Sequence, residues 1–474
     1  MKIIGRVYEQ ALLNEYLQSP TSEFIALYGR RRVGKTYLVN EFFNEDFAFS
    51  ITGLAKESKD IQIHNFYTAL KKYGTQIEAP ADNWYDVFED LIVHLEKNLR
   101  KGKKSVIFID ELPWLDTPKA GFLTALEHFW NGWAASKPEV FLIVCGSATS
   151  WMINKLIKNK GGLHNRVTHR MRVAPFSLSE TAEYLQYKDI EFEQRDIATL
   201  YMVFGGIPFY LNQLRRGLSV AQNIDALCFA KDAPMYDEFN MLFASLFANP
   251  ERHLKLLEIL SMHRYGMTRD DLLKRANITT GGTATQTLEE LEQCGFIEKY
   301  NDFSGRKGLY IYQIIDFFTL FYFRFMNNNK QLSPGYWSKS LGSGAQNAWA
   351  GLSFEKLCLL HIDKIQNKLG IAGILTVIFA WKSANESKDR KGAQIDLLID
   401  RIDNIINICE CKFVNAPFEI DKEYSENLKN KVATFASETK AKKSTHITMI
   451  TTYGIKQNKY SGIVQSEVTL SDLF

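Results

Sequence analysis

The stretch Glu23-Phe24-Ile25-Ala26-Leu27-Tyr28-Gly29-Arg30-Arg31-Arg32-Val33-Gly34-Lys35-Thr36 decides the fold of the first part of the chain. Its apolar half predicts a buried strand, and an amphipathic helix is expected to begin at Lys35. The residues from Gly29 to Thr36 fit the pattern GxxxxGK[ST] of a phosphate-binding loop, in which Gly29 and Gly34 let backbone N–H groups face an anion. We expect Lys35 to reach the phosphates of a nucleotide and Thr36 to bind Mg²⁺. The alternative is a strand, turn and helix with a basic surface and no ligand.

A second apolar strand, 105–109, is followed directly by Asp110 and Glu111. Because the carboxyl ends of parallel strands converge beside such a loop, Asp110 is expected to hold Mg²⁺ through water and Glu111 to polarise the attacking water. Alone, an acid pair after a strand is usually a helix N-cap. Following the loop by about 75 residues, the pair favours nucleotide hydrolysis.

A third apolar strand, 140–145, ends in Gly146 and Ser147. Ser147 is a candidate sensor of the γ-phosphate, and the alternative is helix capping by Ser147 or Thr149. A basic run follows at 155–172; it is either a solvated face or the source of an arginine, Arg166, that reaches the γ-phosphate from a neighbouring subunit or domain. Three strands separated by helical stretches predict a parallel sheet with helices on both faces.

Composition limits the remaining classes. The 474 residues are 46% hydrophobic and 23% charged, which excludes global disorder, and a formal net charge of +3 excludes a surface that is basic throughout. The six cysteines lack the paired spacing of a zinc site and are expected to be reduced and buried. Since neither a signal sequence nor an uncharged window of ~18 residues is found, we expect a cytoplasmic protein with no membrane partner.

Residues 254–312 follow the order of a winged helix-turn-helix: two short helices, a third helix and a two-stranded wing. The candidate recognition helix, 283–294, carries three glutamates and no lysine or arginine, which is a poor fit to a phosphate backbone. A spacer or protein-contact element is therefore the favoured interpretation. If the segment contacts DNA, Arg306 and Lys307 in the wing are the better candidates.

The last part of the chain carries a second group of chemically active side chains. Asp396 lies on one predicted strand, and Glu410 and Lys412 share one face of the next, because side chains two apart on a strand point the same way. Glu355 lies upstream on a probable helix. Carboxylates that hold one or two Mg²⁺ ions, with a lysine that orients or deprotonates water, suit phosphodiester cleavage. The alternative is an α/β domain with an exposed Glu–Lys pair.

The first ~240 residues resemble the STAND group of AAA-like P-loop ATPases of archaea and bacteria. The resemblance rests on Gly5-Arg6, GRRRVGKT, FIDELPWL, CGSATSWM and the break Gly205-Gly206-Ile207-Pro208. It implies that ATP is the nucleotide, that Arg6 lies near the base and that the helix after the break is a lid. Asp316 and the aromatic run after it resemble the hinge helix of members that carry an uncharacterised C-terminal domain. The last unit is similar to the PD-(D/E)xK nuclease superfamily, which implies that Asp396, Glu410 and Lys412 form its signature and Glu355 its helix acid.

The sequence therefore predicts an α/β multidomain protein. Its parts are a P-loop NTPase core (1–178), a helical lid (179–248), a winged helix with hinge helix (249–326), a linker (327–344) and a restriction-nuclease-like α/β domain (345–474). The predicted function is an ATP-hydrolysing switch coupled to a Mg²⁺-dependent DNA nuclease domain. Two alternatives stay open. One is a signalling ATPase whose inactive end domain binds a protein partner or a second copy of the chain; the other is a DNA-binding regulator acting through the winged helix.

Overall fold

A computed structural model of the chain describes residues 2–76, 80–99, 101–158, 161–247, 249–301, 310–327, 334–383 and 393–474. Contacts divide the chain into two units, 1–175 and 176–474. Each unit is described by itself below.

The first unit contains a five-stranded sheet whose strands are joined by helices. Its strands are β1 (Glu23–Tyr28), β2 (Phe49–Thr52), β3 (Ser105–Asp110), β4 (Val140–Gly146) and β5 (His169–Arg172). Its helices are α1 (Val7–Leu17), α2 (Lys35–Phe42), α3 (Lys59–Lys72), α4 (Trp84–Asn98), α5 (Leu112–Leu115), α6 (Phe122–Gly132) and α7 (Thr149–Trp151). A π-helical turn, Met152–Ile157, extends α7.

The strands of this sheet are all parallel, in the order β2-β3-β4-β1-β5. The predicted α/β fold with a parallel sheet is confirmed, and β1, β3 and β4 are the three strands expected from the apolar runs. The sequence analysis missed β2 and β5. Alternate residues of the central strands, such as Ile107 and Leu142, face an apolar core that contains Phe66, Phe88 and Phe129 of α3, α4 and α6. Burial on this scale fixes the strand register that positions the loops at the carboxyl edge.

The second unit begins with short helices, as the strand-poor sequence predicts. They are α8 (Leu178–Tyr187), α9 (Gln194–Phe204), α10 (Pro208–Leu211), α11 (Val220–Ile224) and α12 (Glu238–Leu246). The predicted break is present: α9 ends at Gly205, with φ 66°, and Pro208 occupies the first turn of α10, where its missing N–H costs no hydrogen bond. That these helices form a lid stays a prediction.

The middle segment, 249–326, has the three helices and two strands predicted for it, in that order, and one short strand, 267–268, that the sequence analysis missed. Its elements are α13 (Glu251–Ser261), β6 (Met267–Thr268), α14 (Arg269–Ala276), α15 (Gly282–Gln293), β7 (Ile297–Asn301), β8 (Tyr310–Ile314) and α16 (Phe317–Phe321). The strands pair antiparallel in the order β6-β8-β7. Asp316 caps α16 by accepting from Thr319 N at 2.9 Å. The winged-helix class stays a prediction, and Arg306 and Lys307 lie outside the described residues.

The predicted linker differs from the structure in its described part, 334–344. Helix α17 (Tyr336–Lys339) occupies it, and Trp337 is buried against Phe321, Phe325 and Trp349. The Asp225 carboxylate accepts hydrogen bonds from the backbone N–H of Trp337 and Ser338 at 2.8 and 3.0 Å. The Gly, Ser and Asn content suggested a linker, but burial of a single large aromatic side chain fixes this stretch.

The C-terminal segment, 345–474, contains a mixed five-stranded sheet. Its first helix starts one residue before the predicted boundary. The elements are α18 (Gly344–Leu360), α19 (Ile362–Lys368), β9 (Thr376–Lys382), β10 (Gln394–Arg401), β11 (Ile405–Lys412), β12 (Phe418–Glu419), α20 (Lys422–Thr439), β13 (Ser444–Thr451), β14 (Ile455–Lys456) and β15 (Ser466–Thr469). The sheet order is β15-β13-β11-β10-β9, with β9, β10 and β11 antiparallel and β11, β13 and β15 parallel. The helix and strands expected to carry Glu355, Asp396 and Glu410 are therefore present as α18, β10 and β11.

The described residues confirm the prediction that the cysteines are buried thiols, since all six are free and buried. Among the described residues, we find no helix with both the length and the apolar character needed to cross a membrane.

Candidate functional sites

The phosphate-binding loop of the first unit has a backbone that only particular residues adopt. Gly29 has φ 148°, and a Cβ there would lie 2.3 Å from the Val173 carbonyl oxygen, so any other residue would clash. Gly34 (φ 87°) precedes the first turn of α2, and Arg32 (φ 71°) is also left-handed. The loop therefore leads directly into the N-terminus of α2, where backbone N–H groups point outward and favour an anion.

Lys35 and Thr36 start α2 beside this loop. The Lys35 side chain is buried, and its ammonium donates to the carbonyl oxygens of Gly29 and Arg30 at 3.0 and 2.9 Å. Thr36 Oγ1 donates to Asp110 Oδ2 at 2.7 Å, across 74 residues of sequence. The structure thus brings the hydroxyl and the carboxylate together at the carboxyl edge of the sheet, as the sequence predicts.

The acid pair Asp110–Glu111 is positioned by the end of β3. Asp110 is buried, and its Oδ1 accepts from the Glu111 backbone N–H at 2.9 Å. Glu111 is left-handed (φ 47°) and is the residue before α5, but its side chain makes no capping hydrogen bond. Glu111 therefore occupies the N-cap position of α5 without capping that helix through its carboxylate.

Glu111 contacts Ser147 instead. Its Oε2 accepts from the Ser147 N–H and Oγ at 3.1 and 2.9 Å. The register of the parallel strands explains this contact. Tyr28 of β1 pairs with Gly146 of β4, so Ser147 follows at the same edge of the sheet as the loop. Ala148 is the residue before α7 and has no side-chain cap, so neither Ser147 nor Thr149 caps that helix as the alternative supposed.

The other two predicted nucleotide-binding residues, Arg6 and Arg166, form no hydrogen bond with the acid pair that the structure shows. Arg6 is buried and left-handed (φ 56°); its Nη2 donates to the Val33 carbonyl oxygen at 2.9 Å, which ties it to the loop. Arg166 is exposed in the turn 161–166, and the structure does not bring it to the acid pair.

The second site lies on α18, β10 and β11 of the second unit; we call Glu355, Asp396 and Glu410 the carboxylate cluster. Their side chains are only 14%, 4% and 5% exposed. Residues 395 and 398 of β10 pair with residues 381 and 379 of β9, so a register shift falls at Asp396 and Leu397 between them. Register shifts of this kind re-aim a side chain at the edge of a site. Asp396 Oδ2 also accepts from the Cys411 N–H at 3.4 Å.

Each carboxylate of the cluster meets a cation of the same unit. Arg264, in the turn between α13 and β6, contacts Glu355, and the same Nη2 atom lies 3.5 Å from Asp396 Oδ1. Glu410 accepts from Lys412 at 2.9 Å and from Lys431 of α20 at 2.5 Å. The Tyr424 hydroxyl donates to Glu410 at 3.0 Å. Three acids therefore face three bases.

The pKa values of the cluster reflect burial and these partners. Burial raises the pKa of Glu355 to about 7, and Asp396 adds to the rise. Burial and the neighbouring Glu410 raise the pKa of Asp396. Burial also acts to raise the pKa of Glu410, but Lys412 and Lys431 outweigh it and bring that pKa below its usual value. Shifts in opposite directions among close carboxyls are typical of functional sites, although structural networks also produce them.

The sequence analysis missed Arg264, Lys431 and Lys356. Lys356 is buried, burial lowers its pKa to about 8, and it donates to Gln313 of β8. These three residues pair with groups far away in sequence, and no local pattern signals them. Among the described residues, no group of three or more His, Cys, Asp or Glu side chains converges tightly enough to hold a metal ion.

The part of the chain that contains the first site matches a family model. Residues 4–214 match a family model described as an ATPase domain predominantly from Archaea. Together with the loop, its lysine and the acid pair, the match supports a P-loop ATPase that binds and hydrolyses ATP.

Individual proteins are similar to this chain over a longer stretch than the family model matches. An uncharacterized protein of Methanocaldococcus jannaschii is 26% identical over 378 residues, which is 77% of this chain and 79% of the relative. The Walker-type ATPase of Pyrococcus abyssi is 18% identical over 68% of this chain and 96% of its own, with a TM-score of 0.45. The ORC2 protein of Aeropyrum pernix, solved as ADPNP–ADP complexes, is 13% identical over 66% of this chain and 90% of its own, with a TM-score of 0.40.

Proposed function

We propose that this protein is an ATP-hydrolysing molecular switch that controls a Mg²⁺-dependent, DNA-cleaving C-terminal domain. The observation that carries the ATPase half is the 2.7 Å contact between Thr36 and Asp110, with Glu111 next in sequence. The nuclease half rests on Arg264, since one guanidinium nitrogen contacts the carboxylates of both Glu355 and Asp396.

In the first site, the residues present fit a magnesium nucleotide. Lys35 would bind the phosphates, and Thr36 and Asp110 offer the hydroxyl and carboxylate oxygens that Mg²⁺ prefers. Glu111 would orient and activate the attacking water, and Ser147 would hold Glu111 while sensing the γ-phosphate. The position of Arg6 near the base and the helical lid at 179–248 are carried over from the STAND resemblance. The basic run suggests in addition that Arg166 reaches the γ-phosphate from a neighbouring subunit or domain.

In the second site, two carboxylates are placed to supply part of the ligand set of a hard divalent cation. Glu355 and Asp396 converge on one position, and carboxylate oxygens are the ligands that Mg²⁺ or Mn²⁺ takes in proteins. Such an ion would polarise the scissile phosphate when bound. Lys412, which donates to Glu410 at 2.9 Å, would orient water, and Glu410 would join the metal ligands once released from its lysines.

A specific observation favours a second candidate function, a signalling ATPase with an inactive end domain. Glu355, Asp396 and Glu410 are each paired with an arginine or lysine. A permanently neutralised cluster would stabilise the fold and leave no room for catalysis, so nucleotide state would then change partner binding or self-association.

One experiment compares the two functions. ATP hydrolysis and cleavage of linear and plasmid DNA are measured with Mg²⁺ or Mn²⁺, with and without ATP, for the wild type, Lys35→Ala and Glu410→Ala. Lys35→Ala should reduce ATP hydrolysis by about 10²-fold or more, because it removes a charge aimed at the phosphates. Lys59→Ala, an exposed lysine of α3, is the matched control and should hydrolyse ATP normally.

Cleavage that is lost in Glu410→Ala supports the nuclease, and its dependence on Lys35 reports whether ATP controls it. Absence of cleavage in every condition, with ATP turnover intact, favours the inactive end domain. Unchanged ATP binding and hydrolysis in Lys35→Ala would overturn the ATPase proposal itself.

A further inference from the structure

The turn His263–Gly266 joins α13 to β6 and keeps its shape through hydrogen bonds of its own backbone. Its N–H at Gly266 donates to the His263 carbonyl oxygen at 2.9 Å. Gly266 has φ 73°, and a Cβ there would lie 2.2 Å from the Tyr312 carbonyl oxygen, so the turn requires glycine. Gln313 of β8 donates to the Tyr265 carbonyl oxygen at 3.0 Å. The position of Arg264 is therefore set by the backbone around it.

Arg264 extends from this turn to two acids of the carboxylate cluster. Its guanidinium bonds Glu355 through both Nη2 and Nε, the latter at 3.3 Å, and Nη2 lies 3.5 Å from Asp396. A planar guanidinium matches a carboxylate in this forked manner. The two acids, which carry the charge that would bind a divalent cation, are thus bridged by a cation of the same chain.

Neighbouring contacts join the turn to β10, the strand that carries Asp396. The Tyr265 hydroxyl donates to Gln394 of β10, two residues before Asp396, and the Lys382 ammonium lies 5.8 Å from the Tyr265 ring centroid. Arg264 itself is 44% exposed, whereas Asp396 is only 4% exposed. Water can therefore reach the arginine, whereas the two buried acids would need another cation in its place.

We propose that Arg264 is an intramolecular competitor of the divalent cation, so that the cation binds Glu355 and Asp396 only when the turn 263–266 moves off β10. This inference rests on the proposed metal site and adds its regulation. One oxygen pair cannot accept a guanidinium and a divalent ion at the same place. Displacement of the turn is therefore the step that frees the two carboxylates to bind the cation.

The test measures metal binding rather than activity. Mn²⁺ binding to the full-length, nucleotide-free protein is followed by electron paramagnetic resonance for the wild type, Arg264→Ala and Arg264→Gln. We expect the two variants to bind Mn²⁺ at least tenfold more tightly than the wild type. Adding Asp396→Asn to Arg264→Gln should abolish the gained site. Arg269→Ala is the control, because Arg269 lies on the same segment and contacts Asp270 and Thr285 instead.

The outcomes separate this inference from the proposed function. Equal Mn²⁺ affinity of the wild type and both variants, at a site lost with Asp396→Asn, overturns the competitor role, while DNA cleavage by the same samples leaves the nuclease standing. A tighter site in the variants, with no DNA cleavage by them in the presence or the absence of ATP, supports the competitor and overturns the nuclease. No Asp396-dependent Mn²⁺ site in any sample overturns both. Arg264→Gln keeps a polar side chain without the positive charge, and its circular dichroism spectrum verifies folding.

Discussion

At the scale of single residues, Ser147 determines where the Glu111 carboxylate points. Two hydrogen bonds from the Ser147 N–H and Oγ meet Glu111 Oε2. We expect Glu111→Gln to lower the ATP turnover rate by about 10²–10⁴-fold without loss of ATP binding, because it removes the base that polarises water. Ser147→Ala keeps the backbone bond and removes one hydroxyl bond worth about 1 kcal/mol, so the turnover rate should fall about fivefold. Steady-state phosphate release and nucleotide titration measure both effects.

Ser150→Ala is the matched control for this prediction. The Ser150 hydroxyl is buried and has no hydrogen-bond partner among the described residues, so its removal should leave ATP turnover unchanged. The proposed role of Ser147 is wrong if Ser147→Ala and Ser150→Ala hydrolyse ATP at the same rate. A fully active Glu111→Gln would instead exclude Glu111 as the base.

At the scale of secondary-structure elements, α18 is anchored where it ends. His361 follows its last residue; Nδ1 lies 2.9 Å from the Leu357 carbonyl oxygen, and Nε2 accepts from the Leu178 N–H at 3.2 Å. An imidazole that accepts at Nε2 must be neutral and carry its proton on Nδ1. Burial lowers the pKa of His361 below 6.5. Protonation would turn Nε2 into a donor facing the Leu178 N–H.

The lowered pKa gives a pH dependence of defined sign. The unfolded chain binds the proton more readily than the folded one, so the contribution of His361 is present above pH ~6.5 and is lost as the pH falls through the lower folded pKa. We expect His361→Gln to lower the free energy of unfolding of the second unit at pH 7.5, and we expect this deficit to shrink at pH 5.5. Urea denaturation at both pH values measures it, with His446→Gln on β13 as the control. A deficit of equal size at both pH values would contradict the neutral-histidine anchor.

The secondary-structure elements also show which features of the fold the sequence patterns could predict. Strands β1, β3, β4, β10 and β11 were predictable because each is an apolar run or an alternation that ends at a polar residue. Arg264 was not, since its partner Glu355 is 91 residues away and only tertiary packing brings them together. The linker expected at 327–344 failed in its described part because Trp337 is buried, and local composition does not register the packing of one large side chain. Residues that are adjacent in sequence can therefore be recognised as one site, whereas ion pairs between distant elements cannot be predicted from the sequence.

At the scale of the whole molecule, the proposed nucleotide contacts and the second carboxylate site belong to different units. Lys35, Thr36, Asp110 and Glu111 lie in 1–175, and Glu355, Asp396 and Glu410 lie in 176–474. Each unit contains apolar clusters of its own; one is built on β1, β3 and β4, and others lie around Phe435 and Leu428. A ligand stabilises the part of a protein that binds it, by an amount that follows from its concentration and affinity.

Differential scanning calorimetry with a non-hydrolysable ATP analogue and Mg²⁺ tests this division. We expect two unfolding transitions, because each unit has its own core. At an analogue concentration of about 100 Kd the stabilisation is about 2.7 kcal/mol, which raises the Tm of a unit this size by about 5–10 °C. The transition of the first unit should shift in the wild type and stay in place in Lys35→Ala. A single transition would show that the units unfold together, and an equal shift in Lys35→Ala would mean that the analogue binds somewhere other than the loop at 29–36.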